Sequence, residues 1–448
     1  MVIDVHNPAT ESVIASVPVT ASVTPAVEAA RAAQPAWAEL SRAERAAHLA
    51  RLRDLLTEHA DELAGIITAE MGAPLSVARK VQVGLPITVL SSTVAQLEAP
   101  EQEVQLGNSR IVRDPVGVVG AITPWNYPLH QTVAKLAPAL AAGNTVVHKP
   151  SEVAPLSALR LHELVREAGL PDGVYNLVTG YGDPTGAELA GHPGIDLISF
   201  TGSTTAGRKV AALAAANVTR VALELGGKSA NVILPDADHT AAVKVGVANC
   251  FLNSGQTCTA WTRMLVHESR YDEAVELAVA AAAKYTVGDP TDPSTRLGPL
   301  ASAAQRDRVL SYVERGVAGG AKMVHGGGAV PEVGYYVAPV VFADVDPDAV
   351  IAQEEIFGPV LSIIRYRDED DAVRIANGTR YGLAGSVWSA SQDHAVAVAR
   401  RLRTGQVDVN GGAFNPLAPF GGIGHSGYGR ELGTFGYEEF TTVKAIQL

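Results

Sequence analysis

The stretch VVGAITPWNYPLHQTVAKLAPALAAGNTVVHK, residues 118–149, decides the fold. Val118–Ile122 is an apolar run of strand length, Leu129–Ala142 has helical texture and stops at Gly143, and Thr145–His148 is apolar again. Strand, helix and strand at this spacing predict a parallel pair. Downstream, Leu156, Leu159, Leu164, Val165 and Ala168 mark a helix face that ends at Gly169-Leu170-Pro171. Val174–Val178, Leu197–Phe200 and Val221–Leu225 extend the strand series, so the expected unit is a doubly wound α/β sheet. A second α/β series follows Gly226-Gly227 and runs to about 425, with strand candidates Asn231–Leu234, Met264–His267, Leu361–Tyr366 and Gln406–Val409. Upstream, residues 26–80 read as helical: Leu49, Leu52, Leu55, Leu56, Leu63 and Ile66 recur at helical intervals until Met71-Gly72-Ala73-Pro74 interrupts them. There is no internal repeat, charged tail or long linker, and Gly326-Gly327-Gly328 reads as a surface turn.

Composition bounds the function. At 448 residues the chain should divide into two or three α/β units, and 47% hydrophobic with 18% charged residues fits a compact globular protein. A formal charge of −12 argues against nucleic acid and against anionic membranes, while leaving room for an anionic cofactor held by local amide donors. No run approaches the ~20 apolar residues of a membrane span, and the first residues have neither a basic nor an apolar leader region. The only cysteines, Cys250 and Cys258, cannot build a secreted-type framework, so a reducing cytoplasm is expected. No histidine pair near either cysteine has ligand spacing, so no metal is expected.

The densest chemical signal is Asn253-Ser254-Gly255-Gln256-Thr257-Cys258-Thr259. Small residues around one cysteine give the sulfur the room that a nucleophile needs, although a free thiol of pKa ~8.5 needs dipoles or a base to help it ionise. The alternative is a cysteine acting as a small buried hydrophobe. Cys250, next to Phe251-Leu252, fits that alternative; Cys258 does not. In Leu223-Glu224-Leu225-Gly226-Gly227-Lys228 a glutamate ends an apolar strand, where a desolvated carboxylate can act as a general base or simply meet solvent. In Thr123-Pro124-Trp125-Asn126-Tyr127-Pro128 an asparagine can donate to an oxyanion or merely belong to a turn. No G-x-G-x-x-G follows a strand. Phe200-Thr201-Gly202-Ser203-Thr204-Thr205-Ala206-Gly207 instead joins a strand to a helical run whose N-terminus could receive a phosphate.

Together these segments resemble the NAD(P)-dependent aldehyde dehydrogenase superfamily over nearly the whole chain. The likeness rests on TPWNYP at 123–128, HKPSE at 148–152, FTGS at 200–203, LELGGK at 223–228, GQTC at 255–258, EEIFGPV at 354–360 and PFGG at 419–422. It implies a Rossmann-like, NAD-binding domain (1–96 and 116–225), a second α/β catalytic domain (226–425), and a small β element for oligomerisation (97–115 and 426–448). It implies that Cys258 attacks the aldehyde, that Asn126 and the Cys258 N–H hold the oxyanion, and that Glu224 activates the water that hydrolyses the thioester. Thr123, Trp125, Lys149, Glu152, Gly202, Ser203, Leu225, Glu355 and Phe357 are the implied cofactor residues. Glu152 would accept bonds from ribose hydroxyls and repel a 2′-phosphate, so NAD is expected over NADP. Tyr127, Gln131, Ala134, Leu252, Thr257, Thr259 and Phe420 are the implied aldehyde tunnel.

Ala134 stands where semialdehyde enzymes of this type carry an anchoring arginine, so an uncharged aliphatic or aromatic aldehyde is expected. Two departures from the family stand out. Gly424 replaces a frequent lysine, which would alter loop packing near the substrate mouth, and an early strand pair is expected to be absent, because the chain begins close to the Asn7–Thr10 turn. Thr441–Leu448 reads as a strand that, with a hairpin near 97–115, implies a homodimer or homotetramer. Three rivals remain: a coenzyme-A-acylating relative, a cysteine-dependent hydrolase or acyltransferase, and a non-catalytic binding protein on the same fold.

Overall fold

A computed structural model describes residues 1–99 and 104–448. Strands β1 (Val2–His6) and β2 (Val13–Pro18) form an antiparallel hairpin around the Asn7–Thr10 turn, so the expected absence of an early strand pair is corrected. The reason is visible in the sequence: Ile3, Val5 and Val17 alternate with exposed neighbours and bury one face of the ribbon. The helical region that follows divides into Thr24–Glu39, Arg42–Glu58 and Ala60–Met71. Ser41 and Glu44 make a reciprocal capping box at the second of these, and Gly72 closes the third in a left-handed conformation.

The expected hairpin at 97–115 is shorter than its bounds. Residues 97 and 98 end the helix Gly84–Glu98, residues 100–103 lie outside the described residues, and the hairpin is β3 (Val104–Leu106) with β4 (Ser109–Pro115).

Next come β5 (Val118–Ile122), β6 (Thr145–Lys149), β7 (Tyr175–Leu177), β8 (Leu197–Thr201) and β9 (Arg220–Glu224), all parallel, in the spatial order β9-β8-β5-β6-β7. Every residue of β5, β6 and β8 is buried, as expected of a parallel sheet covered on both faces. The chain runs outward from β5 to β6 and β7, then returns to place β8 on the other side of β5. Strand order therefore reverses between β5 and β8. A crevice opens at such a point beyond the carboxyl ends of the strands.

The second sheet contains β10 (Ala230–Ile233), β11 (Arg263–His267), β12 (Lys322–His325), β13 (Val340–Ala343), β14 (Val360–Tyr366), β15 (Gly385–Trp388) and β16 (Asp408–Val409), ordered β12-β13-β14-β11-β10-β15-β16. All its pairs are parallel except β12 with β13. Finally β17 (Gly427–Tyr428) returns to pair antiparallel with β9, and β18 (Thr441–Gln447) pairs with β4. Among the described residues, no helix is long and apolar enough to cross a membrane, and no cluster of His, Cys, Asp and Glu could hold a metal ion.

Candidate active site

The turn after β5 and the turn after β8 face one cavity of about 430 Å³. Its lining includes Trp125, Asn126, Gln131, Gly202, Ser203, Leu225, Cys258, Glu355 and Phe357, which are distant in sequence. The loop that brings Cys258 there has an unusual backbone: Asn253, Ser254 and Gly255 are three consecutive left-handed residues, with φ of 53°, 57° and 75°. Such strain persists only where the surroundings over-determine it. Asn253 Nδ2 donates to the Asn126 carbonyl at 2.9 Å, and Ser254 Oγ donates to Gly298 O at 2.8 Å. The Ala301 N–H donates to Gln256 Oε1 at 2.9 Å. A Cβ on Gly255 would lie 2.2 Å from the Gly358 carbonyl, so only glycine fits.

Asn126 is fixed from both ends. Its carbonyl also accepts from Gln82 Nε2 at 2.8 Å, and its own Nδ2 donates to Gln256 O at 2.9 Å. One amide hydrogen remains for a ligand in the cleft. Cys258 is half-buried there, and its thiol is pushed up to about 12 by burial, then by the Glu355 and Glu224 carboxylates, against the backbone N–H groups of Thr259 and Cys258. The resting sulfur is therefore a thiol.

Glu224 ends β9 with neither carboxylate oxygen hydrogen-bonded. Burial raises its pKa well above the usual carboxylate range; Glu431 adds to the rise, and Lys135 and Arg430 oppose it. Lys135 pairs with Glu431 and donates to Thr201 Oγ1 at 2.6 Å. A buried ion pair thus stands behind the acid. Glu355, pushed up to about 7 by burial, accepts from the Gly227 N–H at 3.0 Å. A Cβ on Gly226 would fall 2.1 Å from its carboxylate, which explains the paired glycines.

The other expected cofactor residues are spread around the same crevice. Ser203 Oγ caps the helix Thr204–Ala215 by accepting from Ala206 N at 3.2 Å, leaving the Thr204 and Thr205 N–H groups without an intrahelical acceptor. Trp125 meets Phe357 edge to face at 5.5 Å. Phe357 has φ +64°, and its carbonyl accepts from Gln305 Nε2 at 2.8 Å. Lys149, the last residue of β6, pairs with Glu152 at 3.6 Å, outside the cavity's lining. Thr123 is turned away: its hydroxyl shares a 2.9 Å hydrogen bond with His148 Nε2.

The expected tunnel residues are less uniform. Tyr127 OH and Thr257 Oγ1 are 2.7 Å apart, and Thr257 Oγ1 also donates to Leu252 O at 3.2 Å. Thr259 follows Cys258 and turns its backbone N–H toward the sulfur. Ala134 lines a separate, mainly apolar cavity of about 390 Å³ with Val89, Leu417 and Leu432. Phe420 is buried and meets Phe414 at 6.4 Å. Gly424 has φ +62°, and a Cβ there would sit 2.8 Å from Arg380 O, so its loop is built around glycine. That loop packs on the Ser203-capped helix: Thr204 Oγ1 donates to His425 O at 2.9 Å.

Sequence reasoning missed Gln82, Lys135, Glu431, Gln305 and Arg308, the last of which lines the cavity and donates to Glu355 O at 2.8 Å. All act across long sequence separations, and none lies in a segment with a chemical signature of its own.

Comparison with known proteins agrees over the whole length. The sequence model described as "Aldehyde dehydrogenase family" matches residues 1–446. A 3-succinoylsemialdehyde-pyridine dehydrogenase from a Pseudomonas species is 48% identical, covering 99% of this chain and 94% of the relative. Geranial dehydrogenase of Castellaniella defragrans is 45% identical over 99% of this chain and 95% of its own. Aldehyde dehydrogenase C from Pseudomonas syringae, solved as a cysteine-to-alanine variant with NAD+ and octanal, superposes with a TM-score of 0.98. It is 47% identical and covers 100% of this chain and 93% of its own.

Proposed function

The chain belongs to the aldehyde dehydrogenase family, and we propose that it oxidises an uncharged aliphatic or aromatic aldehyde to the acid with NAD, through a thioester on Cys258. The observation that carries this reading is the convergence of Cys258, Asn126 and Glu355 on one cleft, with the Glu224 charge felt at the Cys258 thiol.

The dinucleotide fits that cleft. Free N–H groups at the Ser203-capped helix suit a pyrophosphate, and the Glu355 carboxylate suits a ribose. When bound, NAD supplies the hydride acceptor. The protein's part begins with the thiol losing its proton to Glu224, the raised carboxylate whose charge reaches it. Sulfur adds to the aldehyde carbon, and the remaining Asn126 N–H and the Cys258 N–H meet the new oxyanion. Hydride departs, leaving the acyl group on sulfur. Glu224 passes the thiol's proton to solvent and then takes one from water, whose oxygen attacks the thioester; that proton returns to the leaving sulfur, and the acid and the thiol are released. Glu224 favours this hydrolysis over capture by a thiol such as coenzyme A.

NAD rather than NADP is the preferred form, because Glu152 would repel a 2′-phosphate: at ~4 Å a like pair costs about 1 kcal/mol in water and about 4 at an effective dielectric of 20. A kcat/KM with NADP equal to that with NAD would refute the preference. An uncharged substrate follows from Ala134, which offers no cation; the relatives named for geranial and crystallised with octanal point the same way. The β18-β4-β3 sheet exposes Val104, Leu106, Val443 and Ile446 and would serve a homodimer or homotetramer. The sheet that contains β5 to β9 would bind the cofactor, and the unit built on β10 to β16 would carry the cysteine. The free thiols of Cys250 and Cys258 suit the cytoplasm.

The deciding experiment is an aldehyde panel assayed for NADH formation, repeated with Cys258→Ser. Turnover of hexanal or benzaldehyde that vanishes in the variant is expected. Faster turnover of succinic semialdehyde would overturn the uncharged class, and NADH that depends on coenzyme A would overturn hydrolysis.

A further inference from the structure

The helix Pro128–Ala141 starts at the Asn126 turn, and every one of its residues is buried. Two adjacent polar side chains on it find no hydrogen-bond partner. Gln131 is 5% exposed with Oε1 enclosed and unpaired, and His130 is 8% exposed with Nδ1 in the same condition. Buried polar groups in folded proteins are almost always satisfied, so two open ones side by side require an explanation.

Their position supplies it. At 3.6 residues per turn, Tyr127, His130, Gln131, Ala134 and Pro138 fall within an arc of about 100° on one helix face. Gln131 lines the cleft that contains Asn126 and Cys258. Ala134 and Pro138 line the apolar cavity one turn further along. Gln131 therefore stands on the face that leads from the sulfur to the apolar cavity, and His130, which lines neither cavity, adjoins it at the edge of the same arc. Burial, then the Lys135 charge, holds His130 down to about 4, so at neutral pH its ring offers one donor and one acceptor. The Gln131 amide offers both as well. Neither carries a charge that would pair a substrate carboxylate.

We propose that His130 and Gln131 form a hydrogen-bonding subsite for the aldehyde's chain, so that the preferred substrates are uncharged aldehydes bearing a neutral polar group, such as a keto oxygen, hydroxyl or ring nitrogen, a few atoms from the reacting carbon. The inference rests on the reaction proposed above and narrows its substrate class. A wholly apolar wall would discriminate weakly for or against such a group. Polar groups left unpaired penalise the substrate that lacks it. At ~1.5 Å rise per residue Gln131 lies about 6 Å along the axis from Tyr127, so the recognised group belongs on the chain and not on the aldehyde itself.

The test compares hexanal with hexanals carrying one keto group at successive carbons, by NADH formation. At least one keto position should exceed hexanal in kcat/KM by about tenfold. Gln131→Leu and His130→Leu should each bring that ratio down toward one, and His130→Gln, which keeps a donor and an acceptor, should retain most of it. The ratio within one variant is insensitive to general damage, and unfolding temperatures identify variants that fail to fold. If no keto position outperforms hexanal in the wild type, or if both leucine variants leave the ratio unchanged, the subsite is refuted while the reaction stands. Absence of NADH from every aldehyde would sink the reaction and the subsite together.

Discussion

Cys250 and Cys258 stand eight residues apart, and both thiols are pushed up to about 12, yet their surroundings are opposite in kind. Cys250 lies near the end of the helix His239–Phe251, fully buried in a cluster with Val243, Val247, Phe251 and Met264, and its Sγ donates to Val360 O at 3.6 Å. Cys258 sits in a strained loop at a cleft, with an asparagine that keeps a spare donor and under the charge of two carboxylates of raised pKa. Resting acidity does not distinguish the inert sulfur from the reactive one. Access, a proton acceptor and an oxyanion donor do.

The largest effect should separate the two regions outright. Cys258→Ser should lower NADH formation by at least ~10⁴-fold, the scale on which loss of a nucleophile is felt. Cys250→Ser should leave turnover within a few-fold of wild type. It should cost about 1–3 kcal/mol of stability, because a hydroxyl replaces a weakly polar group in an apolar cluster. Parallel assays and thermal melts check both, and lost turnover without lost stability in Cys250→Ser would erase the contrast. Asn126→Ala comes next. Removing an oxyanion donor should reduce kcat by about 10²–10³, and a loss below tenfold would assign Asn126 to loop support alone.

A smaller effect probes the loop's backbone. Gly255→Ala forces a side chain into a left-handed position facing the Gly358 carbonyl, and should cost on the order of 2–4 kcal/mol. A glycine in the Cys250 helix is a useful counterpart. At Gly246 a Cβ would meet the end of the Asn231 side chain, which can move more readily than a carbonyl. Gly246→Ala should therefore be milder. Equal losses in denaturant melts would mean that the Cys258 loop is no more constrained than its neighbour.

The same two regions mark where the sequence could be read. The strands β5, β6, β8 and β9 and the helix between β5 and β6 were legible because apolar runs alternate there with helical stretches stopped by glycine or proline. In the second sheet β13 and β15 went unseen: VVFA and GSVW are four-residue buried runs, too short for periodicity to distinguish. The hairpin at the N-terminus was hidden by reasoning from where the chain starts instead of from Ile3, Val5 and Val17. Cys258, Asn126 and Glu224 stood out by sitting at strand ends or among small residues. Gln82 and Glu431 did not, because their significance arises only when distant segments meet at Asn126 and Lys135.

Titration gives the finest contrast between the cleft and the rest of the molecule. Glu224 at the end of β9 and Glu70 in the N-terminal helical region are both buried acids with raised pKa values, Glu70 at about 7 because burial outweighs the hydrogen bonds it accepts from the Leu156 and Ser157 N–H groups. A carboxyl whose folded pKa is raised binds its proton more tightly when folded than when unfolded. Stability is thus greatest below the unfolded value near 4.5 and declines as pH rises through the folded value. For Glu70 this window runs from about pH 4.5 to about 7, and the decline is on the order of 1–3 kcal/mol. Glu224 contributes in the same direction but is also needed ionised, so activity should climb over a pH range in which stability falls. Glu70→Gln should flatten the stability profile between about pH 4.5 and 7 while leaving the pH dependence of kcat in place, since Glu70 lies outside the cleft. Glu224→Gln should remove the rising limb of the rate profile. Urea melts and initial rates at matched pH values read the two separately, and a Glu70→Gln enzyme with an unaltered stability slope would show that this acid is already ionised in the fold.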